Sequence, residues 1–403
     1  MSDQQKVQIP TASLADPKEG FSRDFDRAWS ETGFVSITGY NDVLPDASID
    51  TEKARLYHAL EEFMRLPQQV KMRYYIDIGG QRGYTPNGIE QSGGKAFTEW
   101  REHVMVGPRI PLDHPLRDYQ PYRLYLENPE ISEVPQLIPI AENLLESLEQ
   151  LDFIMYERLA EHLGLHPGYF SARLAWGDSS LRLHHYQKLE DDVEIIRAKQ
   201  VDGVTVLMVR FPDGSTIPNL VRAGKHTDVD FSASLLGAEA PGLYIQARDG
   251  TAVAYTASPN SIVVNTGDYA QRETAGKYPS SAHWVEMTEQ TARKDRFSVV
   301  RFTHQRPRVL VRTMPTLRTP EAVYPDEFEG VLLLQRLWEI GYLKPEERDE
   351  RIEIVRTKLM PDDDLVAKIM KWEQENGVRK ITRYFDDIRE YKHVMSAGIG
   401  SAR

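Results

Sequence analysis

Apolar residues recur at helical spacing in one stretch near the middle of the chain. Leu144, Leu148, Leu151, Met155 and Leu159 are three or four positions apart, which places their side chains on one face of a helix. Such a face is stable only when it packs against other apolar groups. The spacing therefore predicts a long helix that lies against a core.

A different pattern occupies the segment from Val229 to Val285. Short runs rich in Val, Ile, Leu and Tyr alternate with the turn sequences Ala-Pro-Gly, Arg-Asp-Gly and Ser-Pro-Asn. Runs of β-branched and aromatic residues interrupted in this way are typical of antiparallel strands. Upstream, two apolar runs flank a Pro-Asp-Gly turn, and this arrangement predicts a β-hairpin over about residues 204–221.

The chain beyond residue 312 has the pattern of successive helices. Proline followed by acidic residues suits the first turn of a helix, and glycine suits the position after the last turn. The predicted helix starts are Pro325, Pro345 and Pro361, the predicted ends are Gly341 and Gly377, and a further helical run covers residues 379–394. The first helix is richer in apolar residues than solvent exposure requires. We expect it to pack on the core or to contact a second copy of the chain.

Composition limits the class of protein. The chain has 403 residues, of which 40% are hydrophobic, enough to bury a substantial core in one elaborated domain or two closely packed ones. It contains no cysteine, so disulfides, cysteine nucleophiles and thiolate metal sites are excluded. A lack of cysteine also suits a reducing compartment, and we expect a cytoplasmic protein.

Charge and hydropathy bear on the expected partners. The 49 basic and 61 acidic residues give a net charge of −12, which offers no general attraction to phosphate backbones. The chain has no apolar run long enough to cross a bilayer, and its polar start lacks the apolar core of a signal peptide. We therefore expect neither nucleic acid nor a membrane as a partner.

Three residues just before and within the strand-rich segment have the types and order of a metal site. His226 and Asp228 are two positions apart, so their side chains share one face of an extended strand. His283, from a later strand, completes a set of two imidazoles and one carboxylate. Three protein ligands leave positions open for a cosubstrate and O2, which favours a non-haem Fe(II) site over a closed structural zinc site.

Arg296 and Ser298 repeat the same-face spacing one strand later. Their guanidinium and hydroxyl groups suit a carboxylate, because Arg offers two parallel donors where Lys offers a point charge. Arg293 is the nearest alternative anchor. Asp295, two positions after it, would repel a carboxylate there, so Arg296 is the preferred candidate.

These motifs, in this order, resemble the isopenicillin N synthase-like family of Fe(II)/2-oxoglutarate oxygenases. The similar positions in this region are Gly242-Leu243, the run from Val264 to Asp268, and Lys277-Tyr278. The upstream segments that resemble the family are Val7 to Tyr40, Leu60 to Gly88 with its loop over the active-site mouth, and Leu144 to Phe170 with its long spine helix. The resemblance covers most of residues 7–310.

The resemblance implies an α+β fold with a mainly β core. That core would be a double-stranded β-helix, or jelly roll, flanked by helices, with an N-terminal α/β segment. Beyond residue 312 the resemblance fades, and the residue pattern predicts a helical C-terminal extension. We therefore expect three parts: residues 1–130 with the N-terminal segment and mouth loop, residues 131–312 with the spine helix and catalytic core, and residues 313–403 with the extension packed on the core.

The resemblance also implies a chemistry. His226, Asp228 and His283 would hold Fe(II), Arg296 and Ser298 would hold the distal carboxylate of 2-oxoglutarate, and O2 would take the remaining position. The substrate would be a small molecule of the kind found in secondary metabolism. Halogenases of this type have a small residue where this chain has Asp228, so hydroxylation, desaturation or ring closure is favoured.

The sequence departs from the family pattern in the run from His184 to Gln187. Many relatives have Asn-Tyr-Tyr-Pro there, and the first and third residues of that run reach the cosubstrate. Tyr186 keeps its residue type and is expected to contact 2-oxoglutarate. His184 replaces the asparagine, and it either donates to the same carboxylate or simply packs. His185 should face away from the site.

A second departure is an insertion over residues 188–222, which contains the predicted hairpin. It lies over the pocket, where it would help to select the substrate, or it extends a sheet edge. Two other functions also stay open from the sequence. One is an oxidase of the same family that uses no 2-oxo acid, and the other is a non-catalytic metal-binding β-barrel. The chain is expected to be a monomer or a homodimer formed through its C-terminal helices.

Overall fold

The computed structural model describes residues 9–45, 48–76, 79, 81–91, 97–237, 242–255, 260–318 and 324–398. Eleven α-helices occur in this part of the chain. They are α1 (Lys18–Thr32), α2 (Tyr40–Val43), α3 (Ile49–Met64), α4 (Gln68–Lys71), α5 (Leu137–His162), α6 (Gly168–Leu174), α7 (Asp268–Glu273), α8 (Glu329–Glu339), α9 (Pro345–Thr357), α10 (Asp362–Asn376) and α11 (Ile388–Ala397). Within these described ranges, none of the helices is both long and apolar enough to cross a membrane.

Two sheets of the β core enclose the site. The larger has eight strands in the order β1 (Thr11–Ser13), β2 (Phe34–Thr38), β14 (Ile262–Thr266), β11 (Ser232–Leu235), β16 (Arg296–Thr303), β6 (Ser180–Tyr186), β5 (Glu102–Val106) and β3 (Gly83–Thr85). The smaller has the order β10 (Ala223–His226), β15 (His283–Val285), β12 (Leu243–Gln246) and β13 (Ala252–Tyr255). All pairings in the two sheets are antiparallel except that of β1 with β2.

The predicted long helix is α5, and its apolar face supports the larger sheet. All five residues of the predicted face are buried in the main hydrophobic core. Helices α1 and α3 pack against α5. Each fully buried leucine contributes roughly 1.5–3 kcal/mol relative to an exposed one, so this face is a major source of stability. The prediction of a core-packed helix is confirmed.

The N-terminal unit adds two strands to the edge of the larger sheet. Strands β1 and β2 pair in parallel and are connected by α1, which buries Phe21, Phe25 and Trp29 at helical spacing. Gly33 ends this helix with φ = 72°, and a Cβ there would lie 2.3 Å from the carbonyl oxygen of Pro279. Only glycine fits so close a backbone approach in this left-handed conformation.

Three strands of the insertion and one earlier strand form a third sheet, with the order β4 (Thr98–Glu99), β9 (Thr216–Val221), β8 (Val204–Arg210) and β7 (Glu194–Val201). The predicted hairpin is the β8–β9 pair. Strand β7 was not predicted, although Asp202-Gly203 signals the turn that joins it to β8. Both residues of that turn have positive φ, 51° and 83°, as a two-residue hairpin turn requires. The sheet packs on Phe97 and Trp284.

The C-terminal helices differ from the prediction at two of their starts. Pro325 does not open a helix, because Glu327 and Phe328 form β18, which pairs with β17 (Leu310–Val311), and α8 begins only at Glu329. The last helix is α11, whose first turn is capped by the Asp387 carboxylate. The starts at Pro345 and Pro361 are confirmed to within a residue, and so are the ends at Gly341 and Gly377.

Candidate active site between the two sheets

A cavity of about 120 Å³ lies between the larger and the smaller sheet. Alternate residues of two neighbouring strands line it, because alternate side chains of a strand point to the same face. The lining residues of these strands are Ser180, Arg182, His184 and Tyr186 from β6, and Arg296, Ser298, Val300 and Phe302 from β16. Every predicted site residue, including the three metal-site candidates described next, borders this cavity.

The three metal-site candidates meet in the cavity wall. His226, the last residue of β10, lies directly opposite His283, the first residue of β15. Asp228 follows two residues after the end of β10, so the extended strand is shorter than the predicted one. One ligand atom from each of the three residues lies within 4.8 Å of the others. Both histidine Nε2 atoms are 3.6 Å from an Asp228 carboxylate oxygen.

Backbone carbonyls fix the orientation of both imidazoles. Nδ1 of His226 is 2.7 Å from the Gly224 carbonyl oxygen, and Nδ1 of His283 is 3.2 Å from that of Ser281. A carbonyl oxygen only accepts, so each Nδ1 carries the proton and donates. The Nε2 lone pairs are then free to bind a metal ion, which is the tautomer that such second contacts select in metal sites.

The carboxylate of Asp228 is held by a neighbouring strand. The Asn265 amide, on β14, donates to Asp228 Oδ2 over 2.8 Å. Burial raises the pKa of Asp228, but His283, His226 and this hydrogen bond outweigh it and lower the pKa below its ordinary value. Burial and the nearby His283 lower the pKa of His226 to about 3. With both Nδ1 atoms turned to backbone carbonyls, the set presents two imidazole nitrogens and one carboxylate, the donors that a divalent ion such as Fe(II) accepts.

The four predicted cosubstrate residues form two pairs across β6 and β16. Arg296 lies opposite Tyr186, and Ser298 lies opposite His184. The guanidinium of Arg296 is 4.9 Å from the centre of the Tyr186 ring. All four side chains are buried and border the cavity. They thus make one cationic and hydrogen-bonding wall in the same cavity as the metal-site candidates.

Comparisons with known proteins decide the family. Residues 9–130 match the N-terminal family described as non-haem dioxygenase in morphine synthesis, and residues 178–305 match the 2OG-Fe(II) oxygenase superfamily. The chain belongs to the 2OG-Fe(II) oxygenases. It is a 2-oxoglutarate-dependent dioxygenase, with Fe(II) as the metal cofactor and 2-oxoglutarate and O2 as the cosubstrates that this family uses. The predicted family, jelly-roll fold class, enzyme class and cofactors are confirmed.

Individual relatives agree with this family. The chain is 26% identical to gibberellin 2-beta-dioxygenase 2 of Arabidopsis thaliana over 297 residues, which are 73% of each protein. It is 26% identical to a putative 2OG-Fe(II) oxygenase family protein of Caulobacter crescentus, with a TM-score of 0.66 over 82% of this chain and 99% of the other. The dioxygenase for auxin oxidation in rice shares the fold, with 19% identity and a TM-score of 0.58 over 83% and 97% of the two chains.

The oxygenase holds His184 as a neutral imidazole. Burial lowers the pKa of His184 well below its ordinary value, and the nearby Arg101 and Arg182 lower it further. Its ring stacks on Tyr186, with the ring centres 5.6 Å apart, and Nδ1 makes no hydrogen bond within the described part of the chain. Both roles left open by the sequence, packing and donation to the cosubstrate, agree with this position.

His185 and Arg293, which the sequence did not favour as site residues, have their side chains outside the cavity. His185 faces the opposite side of the sheet, where its two ring nitrogens are each 2.8 Å from a carboxylate, that of Glu102 and that of Asp295. Arg293 donates to the carbonyl oxygens of Leu189 and Val193 over 3.2 and 2.8 Å. It secures the start of the insertion and does not border the cavity.

Two groups of cavity residues were missed by sequence reasoning. Glu90 and Arg101 come from the N-terminal part, and Leu333, Arg336 and Leu337 come from α8. The apolar face of α8 was recognisable, but spacing along one helix does not reveal which surface it covers. Isolated charged residues such as Glu90 and Arg101 have no periodic signal at all.

The insertion does not border the cavity within the described residues. Its strands bury Val204, Val206 and Val221 against Trp284, the residue that follows His283. The sheet thus supports the outer side of the strand that carries a candidate ligand. This position favours the sheet-extending alternative over a direct contact with the substrate.

Proposed function

We propose that His226, Asp228 and His283 bind the Fe(II) of this oxygenase and that it oxidises a small molecule. The observation that carries the proposal is the convergence of the three ligand atoms within 4.8 Å in the wall of a cavity. Two kinds of hydrogen bond support it. Both histidine Nδ1 atoms donate to backbone carbonyls and Asp228 accepts from Asn265, which orients the three metal-binding groups toward one point.

The same proposal assigns the cosubstrate wall. Arg296 and Ser298 bind the distal carboxylate of 2-oxoglutarate, while Tyr186 and His184 border the bound molecule. When bound, Fe(II) supplies the activation of O2, with 2-oxoglutarate as the co-reductant. The chain contributes positioning and exclusion of water, the latter through the apolar residues of α8 over the cavity. Since Asp228 occupies a coordination position, the reaction is hydroxylation, desaturation or ring closure.

We also propose that the three parts of the chain, divided at residues 130 and 312, assemble the cavity together. Glu90 and Arg101 come from the first part, the metal and cosubstrate candidates from the second, and Leu333, Arg336 and Leu337 from the third. Each part would then be needed for a complete cavity.

The variant Asp228→Ala tests the metal assignment. It should lose Fe(II) binding and 2-oxoglutarate turnover while its thermal unfolding stays cooperative. Asp113→Ala removes the carboxylate of an exposed aspartate and is the matched control. Full iron stoichiometry in Asp228→Ala would refute the assignment. Succinate formed in proportion to O2 consumed separates the 2-oxo-acid-dependent reaction from an oxidase that takes all electrons from its substrate.

A further inference from the structure

Four charged side chains form a buried cluster on the β5–β6 side of the cavity. Glu90 is 2.9 Å from Arg182 Nη1 and 3.0 Å from Arg101 Nη2. Arg101 Nη2 is also 2.7 Å from Glu99. All four residues, Glu90, Glu99, Arg101 and Arg182, are buried, and three of them border the cavity. We call them the arginine–glutamate cluster.

The C-terminal extension holds this cluster in place. The Tyr342 hydroxyl donates to Glu90 Oε2 over 3.0 Å, and the backbone N–H of Gln91 donates to the Ile340 carbonyl oxygen over 3.1 Å. Glu90 therefore receives hydrogen bonds from residues far apart in the sequence. A carboxylate bound on several sides keeps its position when a ligand enters.

The cluster is electrically balanced. Burial raises the pKa of Glu90, but Arg101 and Arg182 outweigh it and hold the pKa well below its ordinary value, so Glu90 is ionised. Burial lowers the pKa of the adjacent His103, as it does that of His184, so both imidazoles are neutral. Two guanidinium groups thus face two carboxylates, with no charge left to neutralise a charged ligand.

The other charged groups that border the cavity have assigned partners as well. The charges of Fe(II), Asp228, the 2-oxoglutarate dianion and Arg296 cancel under the proposed function. Arg336 Nη1 is 3.4 Å from a carboxylate oxygen of Glu339, three residues later on α8. A substrate carboxylate or ammonium would therefore enter as an uncompensated buried charge, which is strongly unfavourable.

Arg182 nevertheless has hydrogen-bonding capacity. Its Nε is buried and makes no hydrogen bond within the described part of the chain, while its guanidinium lies 4.9 Å from the centre of the Phe302 ring. An uncharged oxygen satisfies such a donor without adding charge. Phe302, Leu333 and Leu337 offer apolar surface in the same cavity.

Resting on the proposed function, we infer that the substrate is a small uncharged molecule that presents a carbonyl or hydroxyl oxygen to Arg182. Glu90 is then a specificity-determining residue, because its negative charge cancels that of Arg182 and excludes acids. Its neutralisation should convert the subsite into one that accepts a carboxylate.

Benzamide and benzoate test this inference, since they differ only in the charge and donors of one polar group. Their equilibrium binding is measured by calorimetry on the protein loaded with Fe(II) and saturating 2-oxoglutarate, without O2. The wild-type protein should prefer benzamide. Glu90→Gln should shift the preference toward benzoate by about tenfold or more, the effect expected for one nearby uncompensated charge.

Two further variants keep the result interpretable. Glu61→Gln makes the same charge change on the exposed face of α3, beside Arg65, and should leave the preference unaltered. Arg182→Gln removes the donor and should weaken benzamide binding without improving that of benzoate. It serves in place of Glu90→Gln if the latter does not fold.

The outcomes separate this inference from the proposed function. A wild-type preference for benzoate, an unchanged preference in Glu90→Gln, or no binding of either probe would overturn the inference. Iron and 2-oxoglutarate binding are measured on the same samples. If the wild-type protein bound neither iron nor 2-oxoglutarate, the proposed function would be refuted instead.

Discussion

Arg296 and Tyr186 lie directly opposite each other on antiparallel strands, with the guanidinium 4.9 Å from the centre of the phenol ring. The ring face attracts the cation and restricts its orientation. Ser298 and His184 form the next pair on the same face. The pairing register of β6 and β16 thus brings the four predicted cosubstrate residues together on one face of the sheet.

Arg296→Lys should weaken 2-oxoglutarate binding by about 1–3 kcal/mol, because Lys keeps the charge but loses the two parallel donors. Isothermal titration under anaerobic conditions measures this change. Arg293→Lys is the matched control, since Arg293 contacts carbonyls of the insertion and should not affect 2-oxoglutarate. If only Arg293→Lys weakened 2-oxoglutarate binding, the assignment of Arg296 as the carboxylate anchor would be wrong.

Asn265→Ala should reduce Fe(II) affinity roughly 10- to 100-fold, the usual effect of losing a hydrogen bond that orients a metal ligand. The lost bond is the 2.8 Å contact to Asp228. Competition with a metal chelator measures the affinity. Asn376→Ala, at the end of α10, provides the comparison, and equal affinities of the two variants would contradict the role of Asn265.

His185 should make stability depend on pH. Burial lowers its pKa, but the hydrogen bonds to Asp295 and Glu102 outweigh burial and raise the pKa above the ordinary value of 6.5. The stabilisation from the protonated ring is therefore fully present below about pH 6.5 and is lost as the pH rises through the raised pKa.

The difference in unfolding free energy between the wild-type protein and His185→Gln should accordingly be largest below pH 6.5 and shrink at higher pH. Charge-assisted hydrogen bonds contribute about 1.5–3 kcal/mol each, which sets the scale. Denaturant titrations across this range measure it. His393→Gln, at an exposed position, should show no such trend, and a constant difference for His185→Gln would disprove the assigned charge.

Leu337→Ala should destabilise the protein by about 2–5 kcal/mol and increase succinate formation that is not coupled to substrate oxidation. Leu337 is 3% exposed and borders the cavity from α8, so truncation leaves a void and admits water. Urea unfolding and succinate assays measure the two effects. Leu112→Ala, at a position that is 88% exposed, should change stability by no more than about 0.5 kcal/mol.

The insertion stays a subject for experiment. If the hairpin selects the substrate, replacing residues 204–221 with a tight turn should impair coupling and spare iron binding. The contact of Val206 with Trp284 adds a second expectation, a loss of support for β15. Comparing succinate with oxidised product in the shortened protein distinguishes substrate selection from structural support.

Pairs of candidate site residues could be predicted from the sequence alone because the spacings that define them are local. Residues two apart in an extended strand share a face, so the pairing of Arg296 with Ser298 and of His184 with Tyr186 could be predicted without coordinates. The same argument placed His226 and Asp228 together, although β10 ends at His226. The buried face of α5 followed from helical spacing in the same way.

The residues that complete the cavity come together through packing between distant elements, which the sequence pattern does not reveal. Arg101, Arg182 and Tyr342 all contact Glu90, across sequence separations that no periodicity encodes. The start of α8 was mispredicted because Glu327 and Phe328 pair with Leu310 and Val311, a long-range contact that overrides the local proline signal. Local spacing fixes the direction of a side chain within its own element, whereas packing between distant elements fixes what that side chain meets.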